Sequence, residues 1–188
     1  EAGEPALAFE AWRNAGLFAR SRFSKDDTYS AYRQALDLIP SLPSDFSENK
    51  LQQFFIEWAD YAYDLADHQT CEMIYKTCLE IGESKQSPLL LGTGFSGMGR
   101  VYGMRAELDE GIENIERALF FLSKANSPGE EIEAYTRIGI LHHLKREYKK
   151  AQEFFERGLE SGKDYSDKRA LDAVVNLQTQ LALIDNML

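Results

Sequence analysis

Apolar and small residues along this chain fall at helical spacing, and the blocks they form recur at a step of forty residues. Over 5–22, Trp12, Ala15, Gly16 and Ala19 share one face; the following helix carries Tyr32, Ala35, Leu36 and Ile39. Further along, Phe55, Phe95 and Tyr135 stand forty apart, as do Trp58, Met98 and Ile138, and Ala59, Gly99 and Gly139. The same step links Cys71, Gly111 and Ala151, then Tyr75, Ile115 and Phe155, then Cys78, Ala118 and Gly158. A fixed period of this size signals a repeat array. Alternation of period two is nowhere sustained, so the pattern predicts helices and no strands.

The polar residues between blocks keep the same step. Ser47, Ser87, Ser127 and Asp167 are each able to accept a bond from the free N–H groups of a helix start. Pro88 and Pro128 follow two of them, in the first-turn position that proline tolerates best. Glu130 lies three residues after Ser127, the spacing of a capping box. Lys25-Asp26-Asp27 reads as a polar turn, with Asp27 as cap. These signals divide a single repeat domain into helix pairs at about 5–39, 48–84, 88–124 and 128–162, with a terminal helix over 168–187. The first pair is offset: Ala35 precedes Cys78 by 43 residues, not 40, and the extra length falls in the connection around Pro40 and Pro43.

Small residues at these slots let the two helices of a hairpin approach, and aromatics fill the gaps between hairpins. Trp12, Gly16, Tyr32, Ala35 and Leu36 in the first pair carry such a pattern, as do Phe95, Gly99, Tyr102, Ala118 and Leu119 in the third, and Tyr135, Gly139, Ala151, Phe155 and Leu159 in the fourth. The arrangement resembles tetratricopeptide repeats, in units longer than the usual 34 residues. The resemblance implies an all-α, right-handed α-solenoid of four antiparallel helix pairs plus a C-terminal helix. Long units of this kind resemble the repeat regions of bacterial signalling proteins. The opening from Glu1 to Pro43 looks like the segment downstream of the ATPase module in multidomain signal-transducing ATPases, with related segments in nucleotide cyclases and transcription activators. The chain starts at Glu1 and not at methionine, which adds the expectation of a piece of something longer.

Charge narrows the partners. A net charge of −10 repels phosphate backbones and anionic lipid, so nucleic acid and membrane surfaces are disfavoured. Cys71 and Cys78 lie seven apart on one helix face, ~10 Å by helical rise, too far for a disulfide. They read as small buried thiols, compatible with a reducing, cytoplasmic compartment.

Candidate chemistry is thin. Gly92, Gly94 and Gly97 spell GxGxxG after three leucines, the dinucleotide-binding fingerprint, with Glu113 and Glu116 near the distance of a ribose-binding acid. No second strand of a βαβ unit follows, so these glycines read as helix-packing residues, at ~1 kcal/mol of helix propensity each. His68 falls at a helix break, and adjacent His142 and His143 point about 100° apart, away from a common metal. No serine is accompanied by a base and an orienting acid. The reading is therefore no enzyme, no cofactor and no metal.

What remains is surface. The first helix of each pair lines the inner wall in the resembled fold, and its outward residues include Arg13 and Arg20, then Asp60, Tyr63 and Asp64, then Arg100 and Met104, then Arg137 and His143. This mixed wall suits a protein or peptide partner, including other domains of the same parent chain. The family's clamp for a peptide C-terminal carboxylate uses Lys, Asn and Arg; Arg137 matches one member and the others are absent. The resulting expectation is a non-catalytic interaction or regulatory scaffold within a larger signalling ATPase or transcription regulator, the rival being a module that senses a ligand or peptide in its groove. In the terminal helix, Leu171, Val174, Val175, Leu181 and Ala182 form a stripe to cover the fourth pair, while Leu177, Ile184, Met187 and Leu188 spread beyond it and offer a homodimer contact through 168–188.

Overall fold

A computed structural model describes residues 3–163, Val175 and 178–182. Among the described residues every regular element is helical: α1 (Glu4–Ser21), α2 (Lys25–Leu38), a single 3-10 turn (Ile39–Ser41), α3 (Glu48–Asp64), α4 (His68–Lys85), α5 (Pro88–Met104), α6 (Leu108–Ala125), α7 (Pro128–Leu144) and α8 (Tyr148–Gly162). Most of the expected helix over 168–187, and the expected cap at Asp167, lie outside the described residues. Val175 and 178–182 are helical. The chain divides into two compact units, Glu1–Leu65 and Ala66–Leu188.

The repeat is written in the backbone as well as in side chains. The turns inside helix pairs each pass through one left-handed residue: Phe23 (φ 59°), Ala66 (53°), Ala106 (60°) and Arg146 (61°). Between pairs, Gln86 and Asn126 do the same at φ 52°. The spacings are those of the side-chain slots, including the offset of three after the first pair. None of the six is glycine, so each turn carries steric strain of ~1–2 kcal/mol that the packing on either side must offset.

Helix starts differ from the sequence expectation. Ser87 caps α5, its hydroxyl accepting from the Leu90 N–H at 3.2 Å, and Asp67 caps α4 through the Thr70 N–H at 3.1 Å. Ser47 makes no side-chain cap bond, because the Lys50 N–H is taken by the Ser47 carbonyl at 3.1 Å. Ser127 makes none either, so its half of the capping box with Glu130 is not formed; its ψ of 76° departs from the extended backbone that holds Ser87 at 107°. Asp27 is not the cap of α2. The helix starts three residues earlier than that cap would place it, after Ser24, whose hydroxyl donates to Asp27 Oδ2 at 2.6 Å.

In the first unit, the core is aromatic. Phe54 is surrounded by Phe9, Tyr32, Phe55 and Trp58, with ring centroids 5.2–5.8 Å away. Gly16 lets α1 lie on α2: a Cβ there would sit 2.5 Å from the Tyr32 ring. Gly16 and Ala19 are buried as expected, but Trp12 is 42% exposed and Ala15 is exposed too. The slot explains the difference. In α3 the equivalent residues, Phe55 and Trp58, are buried, Trp58 beside Tyr32 of α2. No second helix of a preceding pair stands against α1 among the described residues.

In the second unit, α5 is held between neighbours at its glycines. A Cβ on Gly94 or Gly97 would collide with Leu79 or Tyr75 of α4, at 2.6 and 2.1 Å. On Gly92 or Gly99 it would meet Leu122 or Ile115 of α6, at 2.6 and 2.4 Å. Gly139 repeats the arrangement in α7, 2.3 Å from the Phe155 ring of α8. Around these contacts Phe95, Ile115, Ala118, Leu122, Ala134, Ile138 and Leu141 form one core cluster. Ile132, Ala151 and Phe155 form a second, on which Leu181 packs.

Candidate functional site

The glycine-rich stretch is helical from Pro88 onward, with Leu89-Leu90-Leu91 forming its first turn and not a strand. The backbone approach that a dinucleotide phosphate would need is taken by leucine and tyrosine side chains. The glycines are therefore accounted for by packing, and the surface expected to meet a partner lies on the other side chains of the first helices.

In the second unit, α5 and α7 bring that surface together. Arg137 reaches from α7 to α5, Nη1 donating to Ser96 Oγ at 2.5 Å and Nη2 to Glu133 Oε2 at 3.0 Å. Ser96 is buried beneath it, and Thr93 and Thr136 turn their hydroxyls back to the Leu89 and Ile132 carbonyls, each at 2.8 Å. Further along the same two helices Arg100, Met104, Ile140 and His143 are half-buried, with the His143 ring 5.6 Å from Tyr148. The result is an arginine anchored over a floor of small side chains. His142 plays a different part: it is buried, stacks on Phe154 at 5.1 Å, and places Nδ1 2.6 Å from Glu147 Oε2. The His142 contact, with Lys150 and Lys145 nearby, holds the Glu147 carboxyl below its ordinary range. At the hairpin ends, Arg105 pairs with Glu72, and Lys145 with Asp109.

In the first unit, the expected cations are tied to carboxylates of α3. Arg13 grips Glu57 with two bonds, Nε at 2.8 Å and Nη2 at 2.6 Å, and touches Glu10 at 3.3 Å. The Glu57 carboxylate raises the Arg13 guanidinium above its ordinary value, against the burial of both side chains, which are 11% and 16% exposed. Lys50 meets Glu10 at 2.7 Å; burial raises the Glu10 carboxyl, but Lys50 and Arg13 outweigh it and bring it below its usual value. Arg20 reaches Asp64 at 3.2 Å and the Glu57 carbonyl at 3.3 Å, and lies 5.5 Å from the Tyr61 ring centre. Asp60 is half-buried, and Tyr63 is 41% exposed. Glu57, Glu10 and Lys50 complete this network and were not singled out from sequence. A signal for them exists: Arg13–Glu57 and Arg20–Asp64 are both 44 apart, and Arg137–Ser96 is 41 apart, one residue past the local repeat step in each case.

In the first unit Tyr32 Oη and Trp58 Nε1 are buried without a hydrogen-bond partner, and buried Glu10 Oε1 has only the Lys50 ammonium opposite it. Burial pushes the Tyr32 phenol up to about 12, with Glu57 adding to the shift. Among the described residues no three His, Cys, Asp or Glu side chains are placed to hold a metal ion, and no helix is long and apolar enough to cross a membrane.

The sequence matches no protein-family model and no curated protein. Solved structures are similar in fold. The apo form of RapI aligns at a TM-score of 0.69 with 17% identity, over 95% of this chain and 64% of its own. BtubC (BKLC) from P. vanneervenii aligns at 0.67 with 12% identity, over 99% of this chain and 89% of its own. The MamA protein aligns at 0.55 with 15% identity, over 96% and 86%. The chain thus spans just under two thirds of the length of RapI. These neighbours are tetratricopeptide-like helical repeat proteins, and at such identities the likeness concerns the fold alone. The fold is all-α, of the tetratricopeptide type, built from antiparallel helix pairs.

Proposed function

We propose that this chain is a non-catalytic protein-interaction module whose partner contacts the first helices of its repeats. Arg137 over Ser96 carries the reading: it is a positioned cation, bonded to both α5 and α7 and 29% exposed in its side chain, above a floor of buried small residues. A fixed arginine, with half-buried Met104 and Ile140 further along the same two helices, offers what a peptide or helix partner needs, an apolar contact with one anchored charge. Tetratricopeptide-like neighbours, as a class, serve as interaction scaffolds, which supports the same reading. Placement in a larger signalling ATPase or transcription regulator rests on the resemblance of the opening segment, and a cytoplasmic location on the two free, buried thiols of Cys71 and Cys78; both belong to this proposal.

Site-specific photo-crosslinking tests it. A photoreactive side chain at Arg100 or His143 is compared, in lysate of the source cell, with one at Glu113 on α6, and the crosslinked proteins are identified by mass. The reading expects one protein recovered from both first-helix positions, absent at Glu113, and lost on Arg137→Glu. Equal recovery from all three positions overturns it.

A further inference from the structure

α1 carries a stripe, apolar but for Asn14, that is uncovered among the described residues. Leu7, Ala11, Asn14 and Phe18 lie within about 60° of one another around the helix. All four are exposed, Leu7 by 73% and Phe18 by 65%. The later pairs show what this face is for. The slot of Phe18 is filled by Tyr61 in α3 and Leu141 in α7, both buried. Tyr61 rests on Tyr29 of α2, ring centroids 5.9 Å apart, and Leu141 rests against Gly111 of α6. The slot of Ala11 is held in α3 by Phe54, packed on Tyr32 of α2. In each case the occupant is a helix, and on α1 that place is vacant among the described residues. Just past the stripe, Phe23 is 90% exposed and left-handed at φ 59°, where the other intra-pair turns have Ala66, Ala106 and Arg146. A bulky ring in a strained turn, gaining nothing from the fold around it, is a second mark of an unmet contact.

We infer that a second copy of this chain docks here, α1 against α1 in antiparallel register about a two-fold axis. The stripe is complementary to itself. Reversing one helix sets Leu7 opposite Phe18 of the second copy, with the small Ala11, Asn14 and Ala15 at the crossing point, where the two backbones approach most closely. Glu4 and Arg22 lie along one edge of the stripe at opposite ends. A two-fold operation keeps that edge on the same side, so Glu4 of each copy meets Arg22 of the other. Among the described residues neither enters an ion pair, and Arg22 already lies 5.7 Å from the centre of the Phe18 ring. The apolar area in reach is on the order of 500 Å² per copy, the range where a specific interface starts. Isologous pairing of one patch with itself is the commonest symmetry of soluble oligomers.

Sedimentation velocity of the 188-residue chain from about 1 to 200 μM tests this. A concentration-dependent dimer is expected, with its dissociation constant raised at least tenfold by Phe18→Glu and unchanged by Phe120→Glu on α6. Glu4→Arg and Arg22→Glu should each weaken the dimer, and the two together should restore it. The charge exchanges involve exposed side chains only, so they report even where the Phe18 variant folds poorly. A monomer throughout the range overturns the inference and leaves the stripe to a helix from elsewhere. A dimer that ignores Phe18 and both exchanges, and responds instead to changes over 175–182, overturns it as well.

Discussion

Gly97→Ala pits helix propensity against packing, and the structure states which wins. In an unhindered helix the change gains ~1 kcal/mol. At Gly97 the new Cβ would lie 2.1 Å from both Cδ1 and Cε1 of Tyr75 and 2.4 Å from Cγ, so the ring has to retreat by more than an ångström to reach an ordinary contact. That ring is 4% exposed and closed in between α4 and α5, and overpacking of this kind costs ~1–3 kcal/mol. The net expectation is a loss of about 1–2 kcal/mol. Gly103→Ala is the matched control, because its Cβ meets only the tip of Leu141 at 2.9 Å, the far end of a flexible side chain. There the propensity gain should survive, giving ~0.5–1 kcal/mol of added stability. Urea unfolding followed by far-UV circular dichroism measures both, and in a Tyr75→Ala background Gly97→Ala should become neutral or stabilising, with a coupling of at least ~1 kcal/mol. If Gly97→Ala stabilises the parent protein as much as Gly103→Ala does, the packing of α4 on α5 described here is wrong.

Arg13→Ala should cost about 2–4 kcal/mol by leaving Glu57 half-buried and unpaired, whereas Arg13→Leu combined with Glu57→Leu should cost much less; equal losses by urea titration would show that the pair is not desolvated. Ala106→Gly should stabilise by ~0.5–1 kcal/mol, since relief of the left-handed strain exceeds the added unfolded-state entropy, and a drop in thermal midpoint would contradict the turn geometry. Burial pushes the Glu131 carboxyl up, with the Ser161 hydroxyl opposing it, so the folded state prefers it protonated and the stability this confers is lost as pH rises from the unfolded value through the folded one. Glu131→Gln should therefore raise the thermal midpoint at pH 7 and have little effect at pH 3.5; a gain of equal size at both values would assign the effect to something other than ionisation. Glu10, Glu72 and Glu147 act in the opposite sense, their depressed carboxyls favouring the folded state above the unfolded value and withdrawing that support as pH falls through the folded ones, so the wild-type protein should lose stability progressively below about pH 4.5 in an acid titration.

Helix positions were legible because a small residue has to recur wherever two helices close on each other; Gly99 and Gly139 meet Ile115 and Phe155, residues at one slot of the same step. The same logic resolved GxGxxG, whose glycines match packing slots and not a strand-turn-helix. Trp12 shows the limit. Its type and spacing are those of a buried slot, but the spacing says nothing about whether a helix stands opposite it. Caps were half legible for a related reason: Ser47, Ser87 and Ser127 are the same residue at the same step, and only backbone torsion and competition from carbonyls distinguish the one that caps. Arg13 and Arg20 stood out as cations, whereas Glu57 did not, since its role depends on contact between residues 44 apart on different helices. The 43-residue step of the first pair was readable in sequence, but that a pair one residue past it brings two side chains together appears only in the contacts themselves.

The five glycines of α5, at ~1 kcal/mol each relative to alanine, leave that helix about 5 kcal/mol short of what alanines at the same positions would supply. It cannot act as a nucleus. The order of events in folding is then constrained: α4 and α6 have to present Tyr75, Leu79, Ile115 and Leu122 before α5 gains anything from coiling between them. Native contacts of α5 should accordingly be absent from the rate-limiting barrier, and injuries to it should appear as faster unfolding with the refolding rate nearly unchanged. A helix selected for close fit has thereby given up the ability to start its own formation, and its lifetime is set by the neighbours that hold it.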